Sequence, residues 1–73
     1  MKIDSIDVLL IKKEASKIIK INVPITEGQA IFIAAQNKFP EAVSKLKNTE
    51  FDCFYDDSRI DLFLTELQKH SCN

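Results

Sequence analysis

A helical apolar pattern that runs through a proline constrains the fold of this chain more than any other feature. Thr26 and Gln29 have the T-x-x-Q spacing of a capping box, in which the Thr26 hydroxyl accepts a hydrogen bond from the Gln29 amide and the Gln29 side chain accepts one from the Thr26 amide. A helix is therefore predicted to begin at Glu27, whose charge suits the positive end of the helix dipole. Its apolar stripe has helical spacing throughout: Ile31, Ala34, Ala35, Phe39, Ala42, Val43 and Leu46.

Pro40 lies inside that stripe. Because proline has no amide hydrogen and its ring clashes with the preceding turn, it costs about 3 kcal/mol in a helix interior. We therefore predict a kink or a break within residues 37–39, with Pro40 as the first residue of a second helical piece, where no amide hydrogen is needed. The stripe keeps its phase across Pro40, so both pieces are expected to pack on one surface.

The residues before Pro24 alternate in the way that β-strands do. Residues 4–11 and 17–23 are rich in β-branched and apolar side chains, and the polar residues 12–16 between them suit a hairpin connection. The connection lacks the Asn-Gly or Asp-Gly pair of a tight turn, which favours a loop of about three to five residues. Pro24 ends the second strand because it cannot donate to a sheet. The residues predicted to face the core are Ile6, Val8, Leu10, Ile19, Ile21 and Val23.

A third strand and a last helix are predicted in the C-terminal part of the chain. Residues 51–55 form a short half-buried strand, and its inward face carries Phe51, Cys53 and Tyr55. After a turn, Ser58 and Asp61 have the S-x-x-D spacing of a second capping box. The helix that follows has an amphipathic stripe of Ile60, Phe63, Leu64 and Leu67.

Together these elements predict one small α+β domain over residues 1–73. A hydrophobic content of 45% is typical of a globular chain, and the length is near the lower limit for a self-sufficient core. The order is β-β-α-β-α, with the first helix kinked or split near Pro40. A right-handed crossover places the third strand beside the first, which gives a three-stranded sheet of order 2-1-3 with the helices packed on one face. Residues 71–73 are expected to fray.

Composition argues against a membrane or secreted protein. No apolar run approaches the roughly 18 residues of a membrane span, since the longest, residues 30–35, has six. Acids within residues 1–7 stand where a signal peptide would be apolar, and two cysteines are too few to staple a small secreted fold. We expect a cytoplasmic protein with no membrane partner.

The densest run of potentially reactive side chains, residues 50–63, is assigned mainly to turn and cap chemistry. Its four aspartates lack the spacing and the glycine of an EF-hand. Cys53 is placed on an inward strand face, where cysteine behaves as a small core hydrophobe. With the only histidine, His70, and with Cys72, the chain has three soft ligands, short of the four usual for zinc. The single glycine, Gly28, excludes a Gly-rich phosphate loop, so we expect no enzyme, metal site or cofactor.

A surplus of apolar residues favours a binding function. Helices on one sheet face leave the other face uncovered, and Leu9, Ile11, Ile18 and Phe54 project from it. An uncovered apolar patch marks an interface, although a strand register shifted by one residue would bury the same side chains. Next to the patch, an acidic rim with two aromatic anchors completes the predicted partner-binding surface: Asp52, Phe54, Tyr55, Asp56, Asp57 and Arg59. The leading prediction is a noncatalytic interaction module, a small inhibitor, adaptor or regulatory accessory protein, that docks on a larger protein or forms a homodimer.

The distribution of charge along the chain supports an alternative function, nucleic-acid binding. Residues 1–20 carry five lysines against three acids, a balance of +2, whereas residues 50–66 carry six acids against one arginine, a balance of −5. Such polarity steers association. Lysines of the basic hairpin could contact nucleic-acid phosphates, but no aromatic residue is interleaved for base stacking, and edge-strand lysine also prevents aggregation. These lysines are Lys12, Lys13, Lys17 and Lys20. The Lys-, Ile- and Asn-rich composition fits an AT-rich genome, and phages and mobile elements encode many such small proteins.

Overall fold

The protein is all-helical over the residues that this computed structural model describes, 3–21 and 24–70, and neither range contains a strand. The helices are α1, α2, α3 and α4, and a 3-10 turn precedes α4. Their bounds are Ser5–Ile21, Glu27–Lys38, Pro40–Leu46 and Ile60–His70, with the 3-10 turn at Asp57–Arg59. The predicted α+β fold with a three-stranded sheet is therefore wrong. The predicted fraying of residues 71–73, and the end of the predicted second strand at 22 and 23, lie outside the described residues.

Helix α1 runs without a break through the segment that was predicted to be a hairpin. Residues 12–16 read Lys-Lys-Glu-Ala-Ser and contain no glycine, proline, asparagine or aspartate, and Lys, Glu and Ala are among the best helix formers. This isoleucine-rich run fits a helix as well as a strand, because its apolar residues also recur every three or four positions. The face of α1 that packs against the core carries Val8, Ile11, Ala15, Ile18 and Ile19.

The start of α1 is closed by a pair of acids that the prediction overlooked. The Asp4 carboxylate accepts a hydrogen bond from the Asp7 amide at 3.0 Å, and the Asp7 carboxylate accepts one from the Asp4 amide at 3.1 Å. This reciprocal pair has the geometry of a capping box. The Asp4 carbonyl also accepts from the Val8 amide at 3.1 Å, the first hydrogen bond of helical spacing in α1.

The predictions for α2 and α3 are confirmed. The Thr26 hydroxyl accepts from the Gln29 amide at 3.1 Å, and the Gln29 side chain accepts from the Thr26 amide at 3.3 Å. Helix α2 ends at Lys38, and Pro40 opens α3 as its first residue. The stripe is continuous across this break: five of its residues are buried and two are partly buried against the core. They are Ile31, Ala34, Ala35, Val43 and Leu46, followed by Phe39 and Ala42.

The four helices enclose one core. Helix α1 packs mainly against α2, α3 contacts both α2 and α4, and the 3-10 turn lies against α2. The predicted stripe of α4 is confirmed, because Phe63, Leu64 and Leu67 are buried and Ile60 packs against them as part of the same cluster. The Phe63 ring lies 5.6 Å from the ring of Phe32 on α2. Among the helices described, none combines the length and apolar character that a membrane span needs.

Candidate functional site

The acidic segment, residues 50–59, is an irregular stretch rather than the predicted strand, and Asp52 holds its first half. The Asp52 side chain is buried, and its carboxylate accepts from the backbone amides of Asn48 and Phe54, each at 2.8 Å. Asn48 is in the left-handed region, with φ 64°, a conformation that asparagine tolerates better than most residues. The placement of Asp52 in an exposed rim is therefore wrong, because this carboxylate stabilises the turn that leads out of α3.

Asp57 and Cys53 attach the acidic segment to the start of α2. The Asp57 carboxylate accepts from the Gly28 amide at 2.8 Å, so it satisfies one of the amides that a helix start leaves unpaired. The Cys53 thiol donates to the Gly28 carbonyl, with Sγ 3.4 Å from the oxygen. A side chain at Gly28 would bring Cβ to within 2.7 Å of the Asp57 carboxylate and closer still to the Cys53 carbonyl oxygen. The single glycine of the chain is thus required by this close approach.

Asp56 and Arg59 order the exposed end of the acidic segment. Asp56 accepts from the Ser58 amide at 3.0 Å and from the Ser58 hydroxyl at 2.6 Å, and these bonds hold the pKa of Asp56 below its ordinary value. Arg59 lies 3.4 Å from Asp56 and donates to the Glu50 carbonyl at 3.1 Å. The predicted Ser58–Asp61 capping box is wrong, since the capping residue is Asp56 at the 3-10 turn.

The predicted apolar patch of Leu9, Ile11, Ile18 and Phe54 does not exist as one surface. Ile11 is fully buried, and Ile18 and Phe54 are half-buried against the core, whereas Leu9 is exposed. Two residues apart on a helix means about 200° of rotation, so Leu9 and Ile11 face opposite ways. The predicted second aromatic anchor, Tyr55, is 86% exposed, and its ring meets the Phe54 ring edge-on at 4.9 Å.

An exposed apolar surface is present instead on the outer face of α1. Ile6 is 65% exposed, Leu9 64% and Leu10 43%, and their i, i+3, i+4 spacing puts them on one turn. We call these three residues the apolar patch. Ile6 and Leu10 had been assigned to the core of a sheet. A second helical stripe opposite the buried one was the signal in the sequence that could have located this surface.

The lysines of α1 do not form a hairpin surface, so the structural basis predicted for nucleic-acid binding is wrong. Lys13, Lys17 and Lys20 continue the outer face of α1 beyond the apolar patch at spacings of four and three, and all three are exposed. We call them the lysine row. Lys12 instead turns toward the neighbouring elements and lines a groove.

That groove, of about 410 Å³, lies between α1, the start of α2 and the start of α4. We call it the acidic groove. It has four apolar lining residues, Ala15, Ile19, Ile31 and Ile60. Its polar residues bring three carboxylates and one ammonium group together, a balance of −2: Glu27, Asp57 and Asp61, with Lys12, Ser16 and Ser58. Aspartates of the acidic end of the sequence therefore contribute to a concave surface that the sequence pattern did not reveal.

The assignment of Cys53 to the core is confirmed, although its strand is not. Burial, together with the charges of Asp52 and Asp57, raises the pKa of the Cys53 thiol to about 12. The thiolate that nucleophilic chemistry needs is therefore scarce at neutral pH. Among the side chains of residues 3–21 and 24–69, no three Cys, Asp or Glu groups converge as a metal site would require, and the candidate ligands His70 and Cys72 lie outside the described side chains.

No protein-family model, curated protein or solved structure matches this chain. What its described residues define is a small four-helix protein. Among these residues, the apolar patch and the acidic groove are the exposed features best suited to binding.

Proposed function

We propose that this protein is a noncatalytic interaction module, a small inhibitor, adaptor or regulatory accessory protein, that binds a helix of a larger protein through the apolar patch. The observation that carries the proposal is the exposure of Ile6, Leu9 and Leu10 together on one turn of α1. A contiguous exposed apolar surface on a folded chain is characteristic of binding sites.

The platform beneath the patch suits a binding role. Opposite the patch, Ile11 and Ala15 are buried against the rest of the molecule, and α1 has its main contact with α2. The patch is therefore held on a regular, packed element rather than on a loop, so little conformational entropy is lost when a partner binds.

The spacing and the charge of the patch define the chemistry of the partner. Side chains at i, i+3 and i+4 form the kind of ridge that packs against a second helix. The three side chains carry no charge, so the partner helix would present a matching apolar row.

The test compares two leucines that are equally exposed. Leu10 on α1 is 43% exposed and Leu62 on α4 is 44% exposed, so Leu10→Asp and Leu62→Asp introduce the same charge at comparable helical surface positions. Affinity capture from the native host, with mass spectrometry, is expected to recover the same protein with wild type and Leu62→Asp. Leu10→Asp should weaken its binding by about tenfold or more, and circular dichroism should show that both variants are folded.

Two outcomes would overturn the proposal. One is equal binding of the captured protein by both variants. The other is retention that a nuclease abolishes and that falls steeply with salt, because this is the behaviour of phosphate contacts. In that case the lysine row, and not the apolar patch, would be the functional surface.

A further inference from the structure

We propose that the acidic groove binds the lysine row of a second copy of this chain. The proposal goes beyond the function above and uses a different surface. The groove has a balance of −2 and four apolar lining residues, whereas Lys13, Lys17 and Lys20 place three positive charges along the exposed face of α1. Both halves of a complementary contact are therefore carried by one sequence.

Among the described residues, the lysine row forms no ion pair within its own subunit. The ion pairs found there include Arg59–Asp56 and Lys69–Glu66. On α1, the groove is lined by Lys12, Ala15, Ser16 and Ile19. Lys13 and Lys17 each follow one of these residues by about 100° around the helix axis, which turns them away from the groove. The positive row and the negative groove of one subunit thus face different directions, as an intermolecular contact requires.

An apolar residue at the end of the lysine row also complements the apolar lining of the groove. Ile21 is 80% exposed at the C-terminal end of α1, directly after Lys20. An aliphatic side chain next to lysines can cover Ile19, Ile31 and Ile60 while the ammonium groups meet Glu27 and Asp61. In a twofold dimer this contact occurs twice, because each copy supplies one row and one groove.

The contact leaves the apolar patch open for the larger partner. The patch occupies residues 6–10 of α1, and the lysine row begins one turn later. Self-association and partner binding can therefore be tested separately. Leu10→Asp should weaken partner binding by about tenfold or more and leave self-association within about twofold of wild type.

The experiment uses the full chain in analytical ultracentrifugation at two salt concentrations. Wild type is expected to associate at about 0.01 M salt, where the Debye length is roughly 30 Å, and to dissociate at about 1 M, where it is roughly 3 Å. The variant Lys17→Glu/Lys20→Glu reverses the end of the row. The variant Glu27→Lys/Asp61→Lys changes the groove balance from −2 to +2. Asp57 is left unchanged because it caps α2.

Each double variant alone is expected to weaken self-association by about tenfold or more, and an equimolar mixture should restore it to within about threefold of wild type. The matched control is Lys45→Glu/Lys47→Glu, which changes the net charge as the row variant does but at residues that belong neither to the lysine row nor to the groove lining. It should behave as wild type. A monomeric wild type at low salt, a mixture that fails to associate, or dissociation caused by Leu10→Asp would each overturn the proposal.

Discussion

Helix α1 and the acidic segment differ in how their backbone hydrogen bonds are satisfied. The difference explains why the acids of the segment resemble a functional site although they serve the backbone, and why the exposed apolar surface lies on α1. In α1 the backbone pairs with itself, so the side chains are free to pack on one face and to be exposed on the other. In the acidic segment the backbone is irregular, and carboxylates accept from backbone amides at Asn48, Phe54, Gly28 and Ser58.

A dense run of acids in an irregular segment is therefore better explained by backbone amides that need hydrogen-bond acceptors than by a catalytic role. Buried backbone amides have to be paired, and aspartate is one of the residues that can pair them locally. Asp52, Asp56 and Asp57 each have such a role. The exposed apolar surface, in contrast, lies on α1, where the backbone groups pair with one another and do not need side-chain acceptors.

The largest expected effect separates a helix from a strand at residues 9 and 11. Ile11→Ala should lower the free energy of unfolding by about 2–5 kcal/mol because Ile11 is fully buried. Leu9→Ala should change it by about 0.5 kcal/mol or less because Leu9 is exposed. Urea unfolding measures both, with Ile11→Val as a milder variant of about 0.5–1.5 kcal/mol. Similar losses at the two positions would contradict the helical assignment, since they share a face only in a strand.

The second prediction concerns the contact between the acidic segment and α2. Gly28→Ala should destabilise the protein by about 1–3 kcal/mol, although alanine is the better helix former by about 1 kcal/mol. The reason is that the new methyl group would meet the Cys53 carbonyl and the Asp57 carboxylate. Thermal or urea unfolding measures the change, and the same substitution in an Asp57→Ala background should cost less. A Gly28→Ala protein that is more stable than wild type would show that the segment does not approach α2 this closely.

A smaller effect on stability is expected when one carboxylate oxygen of Asp52 is replaced by an amide nitrogen. Asp52→Asn keeps the size of the side chain but leaves one acceptor for the amides of Asn48 and Phe54, which now bind two oxygens. We expect a loss of about 1 kcal/mol or slightly more, with faster hydrogen exchange at one of these amides. The control is the exposed Asp61→Asn, expected to change stability by about 0.5 kcal/mol or less. Equal behaviour of the two variants would remove the structural role of Asp52.

The smallest effect is a dependence on pH at the buried end of the segment. The pKa of the Cys53 thiol is raised from its ordinary value of 9.0 to about 12, so the unfolded chain loses this proton at lower pH than the folded one. Stability is then unaffected below about pH 9 and falls as the pH rises from about 9 toward about 12. Urea unfolding at about pH 8 and about pH 9.5, in a Cys72→Ser background, should show this component as a loss of somewhat under about 1 kcal/mol, and it should be absent when Cys53→Ala is added. An identical pH response of the two proteins would contradict it.

The elements that could be predicted from the sequence are those whose signals are local. The Thr26–Gln29 capping box, the break before Pro40 and the stripes of α2, α3 and α4 depend on residues within a few turns of one another. Helix α1 was missed because an apolar-rich run satisfies period two and period 3.6 together. Its length of 17 residues and the absence of glycine, proline, asparagine and aspartate from residues 12–16 were the features that distinguish the two.

The candidate surfaces were less accessible to prediction. Leu9 was correctly expected to be exposed, but its neighbours on the surface, Ile6 and Leu10, follow only once the helix is known. The acidic groove combines Lys12, Ile31 and Asp61 from three helices. No spacing within the sequence relates such residues, because their distances are set by how the helices pack.

The amino-acid sequence by itself determined where two of the four helices, α2 and α3, begin and which faces α2, α3 and α4 bury, since caps, proline and helical period act over a few residues of chain. Only the tertiary structure decided that the acids serve the backbone, that Gly28 has to be glycine and that the exposed apolar residues gather on α1. These outcomes depend on which segments approach one another, such as Asp57 and Gly28 across 29 positions of sequence. The free energy that selects such contacts comes from packing the whole core, and a local pattern does not contain it.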